Sequence, residues 1–155
     1  MNEDMKAEND EIPPIVWTDS FLVGYPLLDR IHREFVDMLA LTQRLGDDDV
    51  ASGLRALADC AKRQFDQEDR WMSDSDFPPR DCHFQEHAAV MDSFALVSQR
   101  VVEGDLEEGR RLVAALADWF PKHMAHLDSA LAHWLFKLRS PGKPIILRRG
   151  VTNQS

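Results

Sequence analysis

The sequence has few cysteines, no excess of basic residues and no long apolar run. Each of these features excludes a class of protein. Its two cysteines, Cys60 and Cys82, form no CxxC motif and no disulfide framework, so we expect free thiols and a cytoplasmic location. The sequence contains 27 acidic and 18 basic residues, and the resulting net charge of −9 argues against nucleic-acid binding. No apolar run approaches the roughly 20 residues of a membrane span. Residues 1–6 have no basic start, so we also expect no secretory signal.

The length and the apolar content predict one domain between two charged tails. A chain of 155 residues with 44% hydrophobic residues can bury a sizeable core. Residues 1–16 are acidic and end in Pro13-Pro14, which predicts an extended N-terminal leader. Residues 139–155 contain prolines, glycines and bases, which predicts an irregular, basic C-terminal tail. We interpret both tails as solvated rather than as docking segments, and we place the domain at 17–138.

Four amphipathic helices are predicted between the tails, at roughly 27–45, 50–72, 80–102 and 106–138. In each range, apolar residues recur at the spacing of one helix face, and no alternating strand pattern appears. The run Asp47-Asp48-Asp49 is predicted to cap the second helix, and Asp105 with Glu108 resembles a capping box for the fourth. Short connections favour antiparallel neighbours. The predicted fold is therefore all-α, an antiparallel up-down-up-down four-helix bundle.

Polar residues interrupt the apolar face of every predicted helix. They are His32, Gln64, Glu68, His83, His87 and His123. Taken alone, each is better explained as a hydrogen-bonded core residue or as the edge of an apolar face. Together they would place several ionisable groups in one interior, where each unpaired group costs several kcal/mol. A shared metal ion would satisfy them. Imidazole and carboxylate without thiolate favour iron, manganese or zinc.

The two cysteines are not expected to bind this metal. Cys60 lies on the apolar face one turn before Gln64, so we interpret it as a small buried hydrophobic residue. Cys82 lies about 100° round the helix from His83 and is predicted to pack against a neighbour. The remaining histidines, His126 and His133, are interpreted as surface or packing residues.

In this order and spacing, the residues resemble the hemerythrin family, in particular its bacterial single-domain members, over roughly 17–138. The matching fragments are Trp17…Phe21…Gly24…Asp29…His32, then Phe65, Glu68, Asp69 and Met72, then Phe77-Pro78 with His83-x-x-x-His87, and finally Trp119…His123…Asp128. Each fragment is weak alone. Their shared order makes the resemblance specific.

The resemblance implies a di-iron centre with an oxo or hydroxo bridge that takes up dioxygen or another small diatomic or peroxide ligand. It implies that one iron is coordinatively full and is bound by His83, His87 and His123. His32 would bind the second iron, which keeps an open position, and Glu68 and Asp128 would bridge the two metals. Phe65 and Met124 are candidate pocket-lining residues.

The sequence departs from the family pattern at Gln64, where the family has a second histidine for the open iron. The amide could ligate through its oxygen, or it could hydrogen-bond a ligand on the iron, which we favour. Three functions remain open: reversible dioxygen binding for storage, delivery or sensing; an enzyme acting on peroxide, dioxygen or NO; and an interaction or sensory module with a degraded metal site. We favour dioxygen binding, with an unidentified redox or signalling partner.

The spacing between His123 and Asp128 predicts a local irregularity in the fourth helix. Five residues on a regular α-helix turn by 500°, which leaves two side chains about 140° apart. Two ligands of one centre should not diverge that far. We therefore predict a π-type turn between Trp119 and Asp128, made easier by Pro121, which removes a backbone donor.

Overall fold

The computed structural model describes residues 13–139, and the predicted leader before residue 13 and tail after residue 139 lie outside the described residues. The helices are α1 (Pro26–Gln43), α2 (Val50–Asp74), α3 (Arg80–Val102), α4 (Leu106–His123) and α5 (Ser129–Arg139). A π-helical turn, Met124–Asp128, joins α4 to α5, and two short 3-10 turns occupy Asp19–Phe21 and Asp47–Asp49. Residues 13–139 contain no strand, so the prediction of an all-α fold is confirmed.

The helices close into a four-helix bundle in which α4, the π-turn and α5 together form the fourth rod. Helix α2 packs against α1 and α3, α3 packs against α4, and α4 also contacts α1 and α2. This arrangement encloses one interior between the four rods, as the amphipathic patterns predict.

Two apolar clusters fill that interior, and the buried polar residues lie between them. On α1, His32 separates Leu28 of the smaller cluster from Phe35 of the larger one. On α2 the order is reversed, because Phe65 of the larger cluster precedes Met72 of the smaller one. The two helices therefore run in opposite directions between the clusters, as an up-down bundle requires. The polar residues form a layer with apolar packing on both sides.

The chain turns into α4 as the sequence predicts, but it enters α2 differently. The Asp105 carboxylate accepts a hydrogen bond from the backbone N–H of Glu108 at 3.2 Å, which confirms the predicted cap. No side chain caps the start of α2, so that prediction was wrong. The acidic run forms a 3-10 turn instead, and Asp47 pairs with Arg110 of α4.

The predicted irregularity is present and is a π-turn at Met124–Asp128. Its ladder includes a hydrogen bond from the backbone N–H of Ser129 to the carbonyl of Met124, five residues earlier. The turn begins three residues after Pro121, which has no N–H to donate to the α-helical ladder.

None of the helices in the described range is long and apolar enough to cross a membrane.

Candidate metal centre

The polar layer contains six ionisable side chains that are almost completely excluded from solvent. Each is at most 2% exposed, and they come from all four rods: His32, Glu68, His83, His87, His123 and Asp128. The structure thus brings together the six residues named from the sequence. One atom from each of five of them, all except His32, lies within 4.8 Å of the others.

Glu68 divides its two carboxylate oxygens between opposite sides of the layer. Its Oε1 lies 3.0 Å from Nε2 of His32, with which it is hydrogen-bonded. Its Oε2 faces the other way and lies 3.1 Å from Nε2 of His87 and 3.6 Å from Nε2 of His83. The carboxylate therefore spans the gap between His32 on one side and the α3 histidines on the other.

Asp128, on the π-turn, divides its oxygens between the two sides of the layer in the same way as Glu68. Its Oδ2 lies 3.1 Å from Nε2 of His32. Its Oδ1 lies 2.9 Å from Nε2 of His83 and 3.2 Å from Nε2 of His123. The layer thus has two halves, one that contains His32 and one that contains three histidines. Each of the two carboxylates contributes one oxygen to the first half and its other oxygen to the second.

The donor atoms are close together but mostly lack hydrogen-bond geometry. Among the described residues, the buried atoms without a hydrogen-bond partner are His32 Nδ1, Glu68 Oε2, both ring nitrogens of His83, His87 Nε2, His123 Nε2 and both oxygens of Asp128. Most of these atoms lie only about 3 Å from another donor. Two ligand atoms about 2.1 Å from one ion and at right angles are also about 3 Å apart. The donor set therefore fits metal ions better than it fits a hydrogen-bonded polar core.

The two buried carboxylates make the layer strongly favourable for positive charge. Burial lowers the pKa of His32, but the close negative charges of Asp128 and Glu68 and the hydrogen bond with Glu68 outweigh it and raise the pKa to about 10. Burial and repulsion by Asp128 raise the pKa of Glu68, but the hydrogen bond with His32 and the nearby imidazoles of His83 and His87 lower it to about 2. Both carboxylates stay ionised in a dry interior, where a cation compensates them most directly.

Two further carboxylates hold the outer nitrogens of His87 and His123. Asp69 on α2 accepts a hydrogen bond from Nδ1 of His87 at 2.8 Å. Glu86 on α3 accepts one from Nδ1 of His123 at 2.9 Å and another from Nε1 of Trp119 at 3.0 Å. With a proton on Nδ1, each imidazole presents the lone pair of Nε2 to the layer, as a metal ligand must. Sequence reasoning assigned neither carboxylate a role, because Glu86 and Asp69 lie beside the apolar faces.

Aromatic rings fix the same two imidazoles from the side. Phe65 stacks on His87 with ring centroids 4.0 Å apart and planes within 7°. Trp119 stacks on His123 at 4.4 Å. Phe65, proposed from the sequence to line a pocket, therefore contacts a histidine of the layer directly. Met124, proposed for the same role, is buried at the start of the π-turn, and the small cavity of about 80 Å³ that it lines has none of the six donors among its lining residues.

Gln64 is buried on α2, and its amide is hydrogen-bonded to a cysteine. Its Nε2 donates to Sγ of Cys60, one turn earlier, at 3.5 Å. Cys60 is buried as predicted, whereas Cys82 is exposed, so the prediction that Cys82 packs against a neighbour was wrong. His126 and His133 are also exposed, in agreement with a surface role.

Comparison with known proteins agrees with this geometry. Residues 23–135 match the family model of the Hemerythrin HHE cation binding domain. The chain is also 33% identical over 124 residues to a bacteriohemerythrin of Ralstonia nicotianae, a match that covers 80% of this chain and 90% of that protein. The bundle, the buried cluster of histidines and carboxylates and these two matches lead to one assignment: the chain belongs to the hemerythrin family.

Proposed function

We propose that this protein is a non-haem di-iron protein that binds dioxygen reversibly, for storage, delivery or sensing. The observation that supports this best is the division of the oxygens of Glu68 and Asp128 between His32 and the three-histidine group. Two carboxylates placed in this way would bridge two metal ions, whereas a single ion would leave one half of the layer unpaired.

The chain's residues would divide between the two irons as the layer divides. His83, His87 and His123 would bind one iron together with an oxygen of each bridging carboxylate. His32 and the other two carboxylate oxygens would bind the second iron and leave it short of ligands. An oxo or hydroxo group would complete the bridge. With three histidines on one side of the layer and one on the other, the ion held by His32 would be the one with fewer protein ligands and would take the small ligand.

Iron, unlike zinc, supplies the reversible redox change that dioxygen uptake needs. The protein supplies a dry and rigid surround. Phe120 packs edge-on against the ring of His32 at 5.6 Å and against Phe35 at 4.6 Å, so the open half faces apolar rings. These rings exclude water and anions that would otherwise compete for the open position and promote irreversible oxidation.

A second candidate is an enzyme that acts on peroxide, dioxygen or NO, and Gln64 is the observation that favours it. With its amide nitrogen bonded to Cys60, Gln64 contributes no imidazole to the half of the layer that contains His32. An iron with one fewer strong ligand has more room for a second small molecule and is less protected against turnover. The dioxygen-binding proposal is preferred because the layer is buried and its surround is apolar, with Phe120 packed against His32 and Phe35.

The setting of the protein is also a proposal. Free thiols at Cys60 and Cys82 fit a reducing cytoplasm, and the net charge of −9 does not favour nucleic acid as a partner. We further propose that 17–138 form the functional domain and that a redox or signalling partner acts on it from outside.

Cycling reduced, iron-loaded protein between dioxygen and argon tests the function. Reversible dioxygen binding predicts an absorption band that forms under dioxygen, disappears under argon and returns over several cycles. The enzyme candidate predicts oxidation in the first cycle without recovery, together with steady consumption of added peroxide or NO. Spectra that stay unchanged under dioxygen, with no consumption of added peroxide or NO, would contradict both.

A further inference from the structure

We infer that Glu86 is a positioning residue for the metal centre: it holds His123 and Trp119 together so that His123 presents Nε2 to the metal before any metal binds. The inference rests on the proposed metal centre and adds a residue outside the six named as ligands. Glu86 does not enter the buried layer. It acts through His123, and its side chain is 42% exposed.

One oxygen of Glu86 makes both contacts. Oε1 accepts from Nδ1 of His123 at 2.9 Å and from Nε1 of Trp119 at 3.0 Å. The indole in turn stacks on the imidazole, with centroids 4.4 Å apart and planes within 29°. The imidazole is therefore fixed at its edge by the carboxylate and on its face by a ring that the same carboxylate holds.

The position of Glu86 along α3 links this clamp to the rest of the layer. Glu86 directly precedes His87, so it lies on the same helix turn as a second histidine of the three-histidine group. Because His123 and Trp119 are on α4, the carboxylate fixes α4 against α3 at the level of the metal site. Asp69 makes the corresponding contact to His87 from α2. His83 and His32 have no partner for Nδ1 among the described residues, so the clamp is specific to two of the four imidazoles.

Orientation, more than charge, should account for the effect of Glu86. A carboxylate that is 42% exposed is screened by water, which weakens its influence on an ion in the interior. A hydrogen bond to Nδ1, by contrast, selects the imidazole tautomer and ring angle directly. Glu86→Gln keeps an acceptor oxygen and loses the charge, whereas Glu86→Ala loses both, so the two variants separate the effects.

The test is zinc binding to the full-length, metal-free protein, measured by competition with a chromophoric chelator. Partners of ligand histidines typically change metal affinity by about 10–100-fold when removed, and we expect a loss in that range for Glu86→Ala. We expect a loss of about 3–10-fold for Glu86→Gln, because a neutral acceptor forms a weaker hydrogen bond. Asp92→Ala and Asp92→Asn are the matched controls, since Asp92 is an exposed carboxylate on α3, and both should bind zinc as the wild type does.

Two readouts separate positioning from a general structural role. The metal-free variants should melt within a few degrees of the metal-free wild type, and ¹⁵N NMR of zinc-loaded Glu86→Gln should show an altered Nδ1 environment for His123 alone. Zinc affinities of the Glu86 variants equal to those of the Asp92 controls would overturn the inference. If Glu86→Ala does not fold, the comparison of the zinc affinities of Glu86→Gln and Asp92→Asn decides the question. If the wild type binds neither zinc nor iron, the proposed metal centre fails instead.

Discussion

Asp128 follows His123 by five residues, yet its Oδ1 lies 3.2 Å from Nε2 of that histidine. A regular α-helix would turn the two side chains about 140° apart. The π-turn at Met124–Asp128 reduces this divergence because it places one additional residue in the turn between them. The irregular backbone thus serves the site, since it turns the carboxylate at the end of the π-turn into the layer to which the last residue of α4 already contributes an imidazole.

The first prediction concerns Asp128 itself. Asp128→Asn keeps the size of the side chain but removes the negative charge that would be shared between the two metals. We expect at most one metal ion per chain, measured by elemental analysis after reconstitution with excess iron. Asp118→Asn, an exposed change on the same helix, should leave metal content at the wild-type level. Two ions per chain in Asp128→Asn would show that the carboxylate does not bridge.

Metal removal should lower the stability of the fold. Without an ion, the donor atoms of the layer remain as poorly paired polar groups in a dry core. An ion present at about 100 times its dissociation constant adds about 2.7 kcal/mol to the free energy of unfolding. For a chain of this size, that raises the melting temperature by about 5–10 °C. Calorimetry of metal-free and iron-loaded protein measures this shift, and superimposable melting curves would place the metal outside the core.

Replacing Gln64 by histidine should strengthen the open half of the centre. Gln64→His would add an imidazole on the helix face where the family has one, and it would remove the hydrogen bond to Cys60. We expect a longer-lived oxygenated form and slower turnover of any peroxide, measured as the rate of spontaneous oxidation beside the wild type. Gln85→His, an exposed change on α3, serves as the control. Equal decay of wild type and Gln64→His, with reversible binding in both, would remove the motive for the enzyme candidate.

The two cysteines should differ sharply in reactivity. Burial, assisted by the charge of Glu34, raises the pKa of the Cys60 thiol to about 11, whereas Cys82 is exposed. A thiol reagent at pH 8 should therefore label native protein once and denatured protein twice, counted by mass spectrometry, and native Cys82→Ser should stay unlabelled. Because folding favours the protonated Cys60 thiol, its contribution to stability is complete below about pH 9 and is lost as the pH rises through about 11. Rapid double labelling of native protein would contradict the buried position.

Periodicity predicted the helices and five of the six buried donors, because polar side chains such as His32 and Glu68 interrupt apolar faces. Asp128 came from the resemblance to the hemerythrin family. Its spacing from His123 does not fit one face of an α-helix, and that mismatch predicted the π-turn. The role of Glu86 could not be predicted in this way. Its partners, His123 and Trp119, lie on another helix, and the pairing depends on how α3 and α4 are aligned along their axes.

Exposed and partly exposed positions were the least predictable. Cys82 lies only about 100° round α3 from a buried histidine, and periodicity does not say whether a neighbouring element covers that angle. The acidic run before α2 has suitable capping residues, but Asp47 forms an ion pair with Arg110 across the bundle instead. In both cases the packing of other elements determines the outcome, namely whether Cys82 is covered and whether the acidic run caps α2. The pattern of a single helix contains no information about that packing.

Iron content per chain in three proteins tests the central claim most directly. Wild-type protein, His83→Ala and His126→Ala are reconstituted with ferrous iron under identical anaerobic conditions, freed of unbound metal and analysed for iron and protein. His83 Nε2 lies 3.6 Å from an oxygen of Glu68 and 2.9 Å from an oxygen of Asp128, whereas His126 is exposed on the π-turn. The proposed centre predicts close to two irons per chain in the wild type and in His126→Ala, and a clear loss in His83→Ala. Equal iron content in the two variants would contradict it.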